Sequence, residues 1–140
     1  MKMTEREVNK HYRNLSGIGN LVFPAKLSFA ISCNLEKLQR EAERIDKERK
    51  NLCERYADKG DDGKPVMLDV VVNGEKTQEY KMSEDNRKLF EEEYNSLLDA
   101  EVEIDIRTVK TEVVERCESA ERYSIPTVAQ LLAMSFMLEE

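Results

Sequence analysis

The 140 residues carry 29 acidic and 22 basic side chains, which gives a formal net charge of −7, and charged residues make up 36% of the chain. This acidic balance argues against a general affinity for nucleic acid or for an anionic membrane, because both are polyanions. The length suits one domain, and the high charged fraction favours exposed helices over a β-sandwich.

The cysteine pattern and the hydropathy profile predict a cytoplasmic protein. Cys33, Cys53 and Cys117 are odd in number and far apart, unlike a secreted disulfide framework, so we expect reduced thiols. No apolar run reaches the roughly 18 residues that are needed to span a bilayer. The polar segment 1–10 does not have the form of a signal peptide.

Residues 1–20 predict an N-terminal helical extension. Thr4 and Glu7 have the spacing of a capping box, in which each side chain bonds to the backbone N–H of the other residue. Val8 and Leu15 follow at a spacing that places them on one face of the helix.

Residues 24–58 predict one long amphipathic helix. Its apolar residues recur at alternating spacings of three and four, which places them in one narrow seam. Such a helix is about 50 Å long, so it needs another helix alongside. The seam includes Leu38, Ile45 and Leu52, and Arg49 stands where an apolar residue is expected. Because a buried charge is costly, we expect that end of the seam to be frayed, solvated, or paired with an acid across an interface.

Residues 66–82 predict a β-hairpin. Met67–Val72 is rich in β-branched residues, and Asn73-Gly74 supports the positive φ angles of a type I′ turn. Residues 83–100 predict a second helix with Ser83 as its N-cap. This helix would run back along the first one, but it is only about half as long.

Residues 101–140 predict a strand and a C-terminal helix. Acidic and apolar residues alternate from Glu101 to Ile106, which is the period of a strand with one buried face. We expect this strand to join the hairpin or to pair with segment 18–23. Ser124-Ile125-Pro126 has the form of a helix start. The helix that follows is apolar on nearly all sides, so we expect it to be buried or to dock on a partner.

The predicted fold is therefore α+β and forms a single domain over residues 1–140. It comprises a long helix, a β-hairpin, a returning helix, a short strand and an apolar C-terminal helix. The helix–hairpin–helix order is similar to that of prefoldin-type subunits. The returning helix is too short to cover the seam between Ile31 and Arg49, so we expect the C-terminal helix or a partner chain to cover it.

The sequence contains no pattern that predicts catalysis, a cofactor or a metal site. His11 is the only histidine, and no nucleophile lies near it in sequence, so we expect a surface role. The chain lacks a Cys-x-x-Cys pair and a glycine-rich phosphate loop. We therefore expect no enzyme activity, no cofactor and no bound metal.

Two surfaces are candidates for binding a protein partner. The first combines the helix seam with the C-terminal helix and suits an accessory or assembly factor that forms a homo-oligomer. Its candidate residues are Leu38, Ile45, Arg49, Leu52, Leu132 and Phe136. The second is an acidic face, which suits an inhibitor that blocks the basic nucleic-acid channel of an enzyme. Its candidate residues are Glu84, Glu91, Glu92, Glu93, Glu101 and Glu103. A solvated face without a partner is the simpler interpretation of these acids.

Four stretches of the chain resemble a family of small phage and prophage proteins of Gram-positive bacteria. They are residues 23–29 (FPAKLSF), 90–98 (FEEEYNSLL), 101–106 (EVEIDI) and 131–140 (LLAMSFMLEE). The family has no assigned activity, so the resemblance transfers no site residue. It implies a phage-encoded protein in the host bacterial cytoplasm. The accessory factor would then serve a phage, and the inhibitor would be an anti-defence protein similar to an anti-CRISPR.

Overall fold

The computed structural model describes all 140 residues and contains both helices and strands, which confirms the α+β class. The chain divides into two compact units. Unit 1 comprises Met1–Glu43 and Glu101–Glu140, and unit 2 comprises Arg44–Ala100. None of the helices combines the length and the apolar character that crossing a membrane requires.

Unit 1 begins with a short strand, β1 (Lys2–Thr4), and a helix, α1 (Glu5–Ser16). The predicted capping box is confirmed: the Glu7 N–H donates to Thr4 Oγ1 at 3.1 Å, and the Thr4 N–H donates to Glu7 Oε2 at 3.1 Å. This exchange satisfies two donors that a helix start leaves without a partner in the helix. Val8 and Leu15 are fully buried, so α1 packs through the predicted face.

The long helix α2 (Ala25–Tyr56) has 32 residues and passes from unit 1 into unit 2. It begins directly after Pro24, whose carbonyl accepts from the N–H groups of Leu27 and Ser28 at 3.0 Å each. The predicted helix is therefore confirmed, with ends one and two residues inside the predicted limits. Within unit 1, Leu27 and Leu38 are fully buried along its seam.

The strand that follows the acidic block pairs with the N-terminus of the chain. This strand, β4 (Glu101–Glu103), lies antiparallel to β1, with Met3 opposite Val102. The prediction that it joins the hairpin or pairs with segment 18–23 is wrong. Segment 18–23 is not extended at its start, because the N–H groups of Ile18 and Leu21 close turns onto Leu15 and Ile18 carbonyls.

The C-terminal part of unit 1 consists of short elements. They are β5 (Val109–Lys110), α4 (Thr111–Glu115), a 3₁₀ turn (Arg116–Glu118), α5 (Val128–Met134), a second 3₁₀ turn (Ser135–Met137) and β6 (Leu138–Glu139). β6 runs parallel to β5. The last helix starts later than predicted, because Thr127 and not Ser124 is its cap. Thr127 forms a capping box with Gln130, with bonds of 3.3 and 2.9 Å.

Unit 2 contains the predicted hairpin, which is confirmed. β2 (Met67–Val72) and β3 (Glu75–Tyr80) form six consecutive antiparallel pairs. Asn73 and Gly74 have φ angles of 53° and 82°, as the type I′ turn requires. Asp58 holds the base of the hairpin, since its N–H donates to the Lys81 carbonyl at 2.7 Å.

The returning helix of unit 2 is α3 (Glu84–Asp99), and its predicted cap is confirmed. The Asn86 N–H donates to Ser83 Oγ at 3.2 Å. The Asn86 side chain also donates to the carbonyl of Tyr56 at the end of α2, at 3.2 Å. With 16 residues, α3 has half the length of α2, as predicted.

Candidate protein-binding surfaces

Three candidate residues of the seam are buried within the chain itself. Leu38 is fully buried in unit 1, and Ile45 and Leu52 are buried in unit 2. Their side chains are buried within the chain, so they present little apolar surface to a partner.

A buried asparagine shows what covers the seam in unit 1. The Asn34 side chain is fully buried, its Nδ2 donates to the Arg107 carbonyl at 2.9 Å, and its Oδ1 accepts from the Arg107 N–H at 2.7 Å. Asn34 Nδ2 also lies 3.5 Å from Met137 Sδ. The C-terminal part of the same chain therefore covers α2 at this point. The sequence offered one signal for this contact, a polar residue next to the seam.

Arg49 is half-buried in unit 2 and pairs with an acid on its own helix. Its Nε and Nη2 each lie 3.1 Å from Asp46 Oδ1, three residues earlier on α2. Partial burial opposes the ionisation of Asp46, but hydrogen bonds from Arg49 and Lys50 outweigh it and lower the pKa of the carboxyl group. The predicted ion pair exists, but it lies within one helix and not across an interface.

Arg49 also lines a groove of about 450 Å³ in unit 2. The rings of Phe90 and Tyr94 stack on one side of it, with centroids 5.7 Å apart, and Cys53 lies 3.7 Å from Arg49 Nη1. Burial raises the pKa of the Cys53 thiol, and the nearby guanidinium only partly offsets this effect. Cys53 therefore stays a thiol at neutral pH and acts in packing.

Apart from Phe29, whose ring is covered by the Arg107 guanidinium, the most exposed apolar side chains of unit 1 lie on α5 or on the segments joined to its start. Val22, Ile125, Val128 and Leu132 have between 54% and 75% of their surface exposed, and we call them the C-terminal patch. Val128 and Leu132 are four residues apart, so they share one face of α5. Val22 is tied to the segment before α5, because the Ser124 N–H donates to its carbonyl at 2.7 Å and its own N–H donates to Ser124 Oγ at 3.1 Å.

The opposite face of α5 and of the turn after it is buried. Met134 and Met137 are fully buried. The candidate residue Phe136 stacks on His11 of α1, with ring centroids 4.0 Å apart and an angle of 20° between the planes. Phe136 thus anchors this segment on α1, whereas Leu132 faces solvent.

His11 is half-buried against Phe136, which corrects its predicted position on a free surface. Burial lowers the pKa of the imidazole, and the carboxylate of Glu7 only partly opposes this shift. His11 is therefore neutral at neutral pH and serves as a packing residue.

The six acidic candidates are divided between the two units. Glu84, Glu91, Glu92 and Glu93 lie on α3 in unit 2, whereas Glu101 and Glu103 lie on β4 in unit 1. Three of them have cationic partners: Glu93 lies 3.4 Å from Arg55, Glu101 lies 3.6 Å from Lys2, and Glu103 lies 2.8 Å from the Met1 amino group. The three candidates without an ion pair, Glu84, Glu91 and Glu92, all lie on α3.

The His, Cys, Asp and Glu side chains form no group of three that could hold a metal ion. Comparison with protein-family models, with curated proteins and with solved structures finds no match to this chain. The proposal for its function therefore depends on the geometry of these surfaces and on the sequence.

Proposed function

We propose that this chain is a non-enzymatic accessory or assembly factor of a phage that binds another protein through the C-terminal patch. The observation that carries this proposal is the exposure of four aliphatic side chains on α5 and on the segments joined to its start, Val22, Ile125, Val128 and Leu132. Groups of exposed apolar side chains often mark interaction sites, whereas single ones are normal on a protein surface. The resemblance of residues 23–29 and 131–140 to phage and prophage proteins supports the phage origin.

The patch is held rigidly, which favours binding. Thr127 and Gln130 cap α5 at its start, and Met134 and Met137 bury its opposite face. A surface that is already ordered loses little conformational entropy when a partner docks, so more of the contact energy contributes to affinity.

The composition of the patch indicates the chemistry of the partner. Residues 124–138 contain no charged side chain, so the partner surface that covers them should be aliphatic or aromatic. Binding should therefore change little with ionic strength, because salt screens charges and leaves apolar contacts in place.

The proposed location is the host bacterial cytoplasm, which is supported by three free thiols, since disulfides are rare in that compartment. We interpret the helix–hairpin–helix order of unit 2 as a prefoldin-like helical hairpin. The contacts of Tyr56 with Asn86 and of Arg55 with Glu93 support this interpretation, because they join the end of α2 to α3.

A matched pair of leucine variants tests the patch. Leu132 and Leu89 are both exposed on helices, but Leu89 lies on α3 in unit 2, outside the patch. Partners captured by the wild-type chain from infected cells are identified by mass spectrometry, and binding of the purified partner is then measured by calorimetry. We expect Leu132→Asp to weaken binding about 30-fold or more, as at an interface hot spot, and Leu89→Asp to leave it unchanged. Equal affinities for wild type and Leu132→Asp would overturn the proposal.

The second candidate function is an acidic anti-defence inhibitor. It is favoured by one observation, that Glu91 and Glu92 are exposed on α3 and form no ion pair. In that case the double substitution Glu91→Lys and Glu92→Lys should abolish partner binding, and high salt should weaken binding by the wild type. Binding that tolerates both the double substitution and high salt excludes this candidate.

A further inference from the structure

The two edges of the hairpin in unit 2 differ in character. The sheet has only two strands, so the outer backbone groups of both β2 and β3 have no partner strand. β3 carries Glu75, Lys76 and Glu79, and charged side chains are a common protection of strand edges. β2 (Met67–Val72) has five apolar residues and a single charge, Asp69, with no proline and no bulge in its register. β2 is therefore an unprotected edge.

β2 is also the outer strand of unit 2. Gln78, Glu79 and Tyr80 of β3 line the groove beside α2 and α3, whereas no residue of β2 lines it. Leu68, Val71 and Val72 of β2 are 45%, 67% and 50% exposed. A long, exposed, apolar edge of this kind is a template for pairing with another strand.

We propose that β2 pairs antiparallel with β2 of a second copy of this chain, across a two-fold axis. The product is a four-stranded sheet in the order β3, β2, β2, β3, with the charged β3 strands at both outer edges. This inference goes beyond the proposed function, because it concerns unit 2 and a copy of the same chain. A hairpin alone is marginally stable in water, so pairing would stabilise it.

The sequence of β2 selects one register. Residues that lie directly opposite each other in antiparallel strands share one face of the sheet. A two-fold axis perpendicular to the sheet therefore passes between one residue and the same residue of the other copy. An axis at Asp69 would place two carboxylates opposite each other, which is unfavourable. An axis at Val70 avoids this and pairs residues 68–72 completely, whereas axes at Leu68 or Val71 pair fewer residues of the strand.

This register produces a continuous apolar face. In the hairpin, Leu68, Val70 and Val72 share one face and lie opposite Glu79, Thr77 and Glu75 of β3. With the axis at Val70, Leu68 of one copy lies opposite Val72 of the other, and the two Val70 side chains meet at the centre. Six aliphatic side chains then contact one another, and this burial drives the association.

Charged substitutions at Val70 test this pairing, and sedimentation velocity of the full chain measures their effect on dimerisation. We expect the wild type to dimerise, and Val70→Lys or Val70→Glu alone to weaken dimerisation at least about tenfold, because like charges then meet at the axis. An equimolar mixture of the two variants should dimerise again. Thr77→Lys is the matched control, since Thr77 pairs with Val70 within the hairpin but lies on the distant strand, and it should dimerise like the wild type.

A cysteine pair supplies a test that does not depend on charge. Oxidation of Val70→Cys should give a covalent dimer, because the two Cys side chains meet at the axis, whereas Val71→Cys should remain mostly uncrosslinked. Leu132→Asp should dimerise normally, which separates this inference from the proposed function. A wild type that stays monomeric at millimolar concentration overturns the inference, as does equal weakening by Val70→Lys and Thr77→Lys.

Discussion

Units 1 and 2 differ sharply in how much apolar surface they bury. Unit 1 contains sixteen of the buried apolar side chains of the protein, and unit 2 contains only five. Those five are Ile45, Leu52, Cys53, Ala57 and Leu98. Because burial of apolar surface is the main favourable term in folding, unit 1 should be the more stable part. Unit 2, with its smaller core, therefore has more stability to gain from the proposed association than unit 1 has.

The helix α2 shows the same contrast along its own length. In unit 1 four apolar residues of α2 are buried, and the one polar residue buried among them, Asn34, is uncharged and hydrogen-bonded. In unit 2 the seam is interrupted by Arg49, whose charge is held by Asp46 on the same helix. The first part of α2 thus packs in the larger core of unit 1, and its last part packs in the smaller core of unit 2.

The largest expected effect is on the core of unit 1. Leu38→Ala should lower the free energy of unfolding by about 2–5 kcal/mol, since it removes a fully buried side chain and leaves a cavity. Leu89→Ala, at an exposed position of unit 2, should change it by less than about 0.5 kcal/mol. Urea unfolding followed by circular dichroism measures both. Similar losses in the two variants would remove the contrast between the units.

A smaller effect is expected for the buried amide of Asn34. Asn34→Ala removes the partner of both the N–H and the carbonyl of Arg107, so it should cost about 1–3 kcal/mol. Asn14→Ala, on the exposed face of α1, is the control and should be nearly neutral. A neutral Asn34→Ala would show that the backbone groups of Arg107 find other partners.

The stacking of His11 on Phe136 predicts a dependence of stability on pH. Because burial lowers the pKa of His11 below its ordinary 6.5, the unfolded chain binds a proton more readily than the folded one. The contribution of His11 is therefore complete above pH 6.5 and is lost as the pH falls below that value. His11→Gln should lack this component, so the difference in unfolding free energy between wild type and variant should shrink on acidification. If this difference instead grew on acidification, protonation of His11 would stabilise the folded chain, which contradicts the prediction.

The smallest effect is expected for the exposed ion pair of unit 2. Arg55 and Glu93 lie 3.4 Å apart with both side chains largely in solvent. A double-mutant cycle with Arg55→Ala and Glu93→Ala should give a coupling of about 0.2–1 kcal/mol, which decreases with added salt. A larger coupling would mean that solvent screens this pair less than its exposure implies.

Local signals in the sequence predicted local structure well. The Thr4–Glu7 box, the Ser83 cap and the Asn73-Gly74 turn each act within a few residues, so spacing alone identifies them. Arg49, the charged residue in the predicted seam, also indicated the part of α2 that packs against few buried apolar side chains.

Contacts between distant residues could not be predicted in the same way. The alternation from Glu101 predicted the strand β4 but not its partner β1, because β1 has only three residues and lies about a hundred positions away. Asn34 stands out as a polar residue next to the seam, but the helical pattern does not identify the Arg107 backbone as its partner. For the same reason Phe136 and Leu132 looked equivalent in the sequence, although one packs on His11 and the other faces solvent.

Amide hydrogen exchange at two protein concentrations tests the contrast between the units most directly. In dilute solution, Met67–Val72 should exchange much faster than Glu5–Ser16 and Val128–Met134 of unit 1. At high concentration β2 should become protected while the exchange of unit 1 stays unchanged, because only β2 gains a partner strand. If β2 exchanged slowly at both concentrations, or at the same rate at both, the proposed difference between the units would be contradicted.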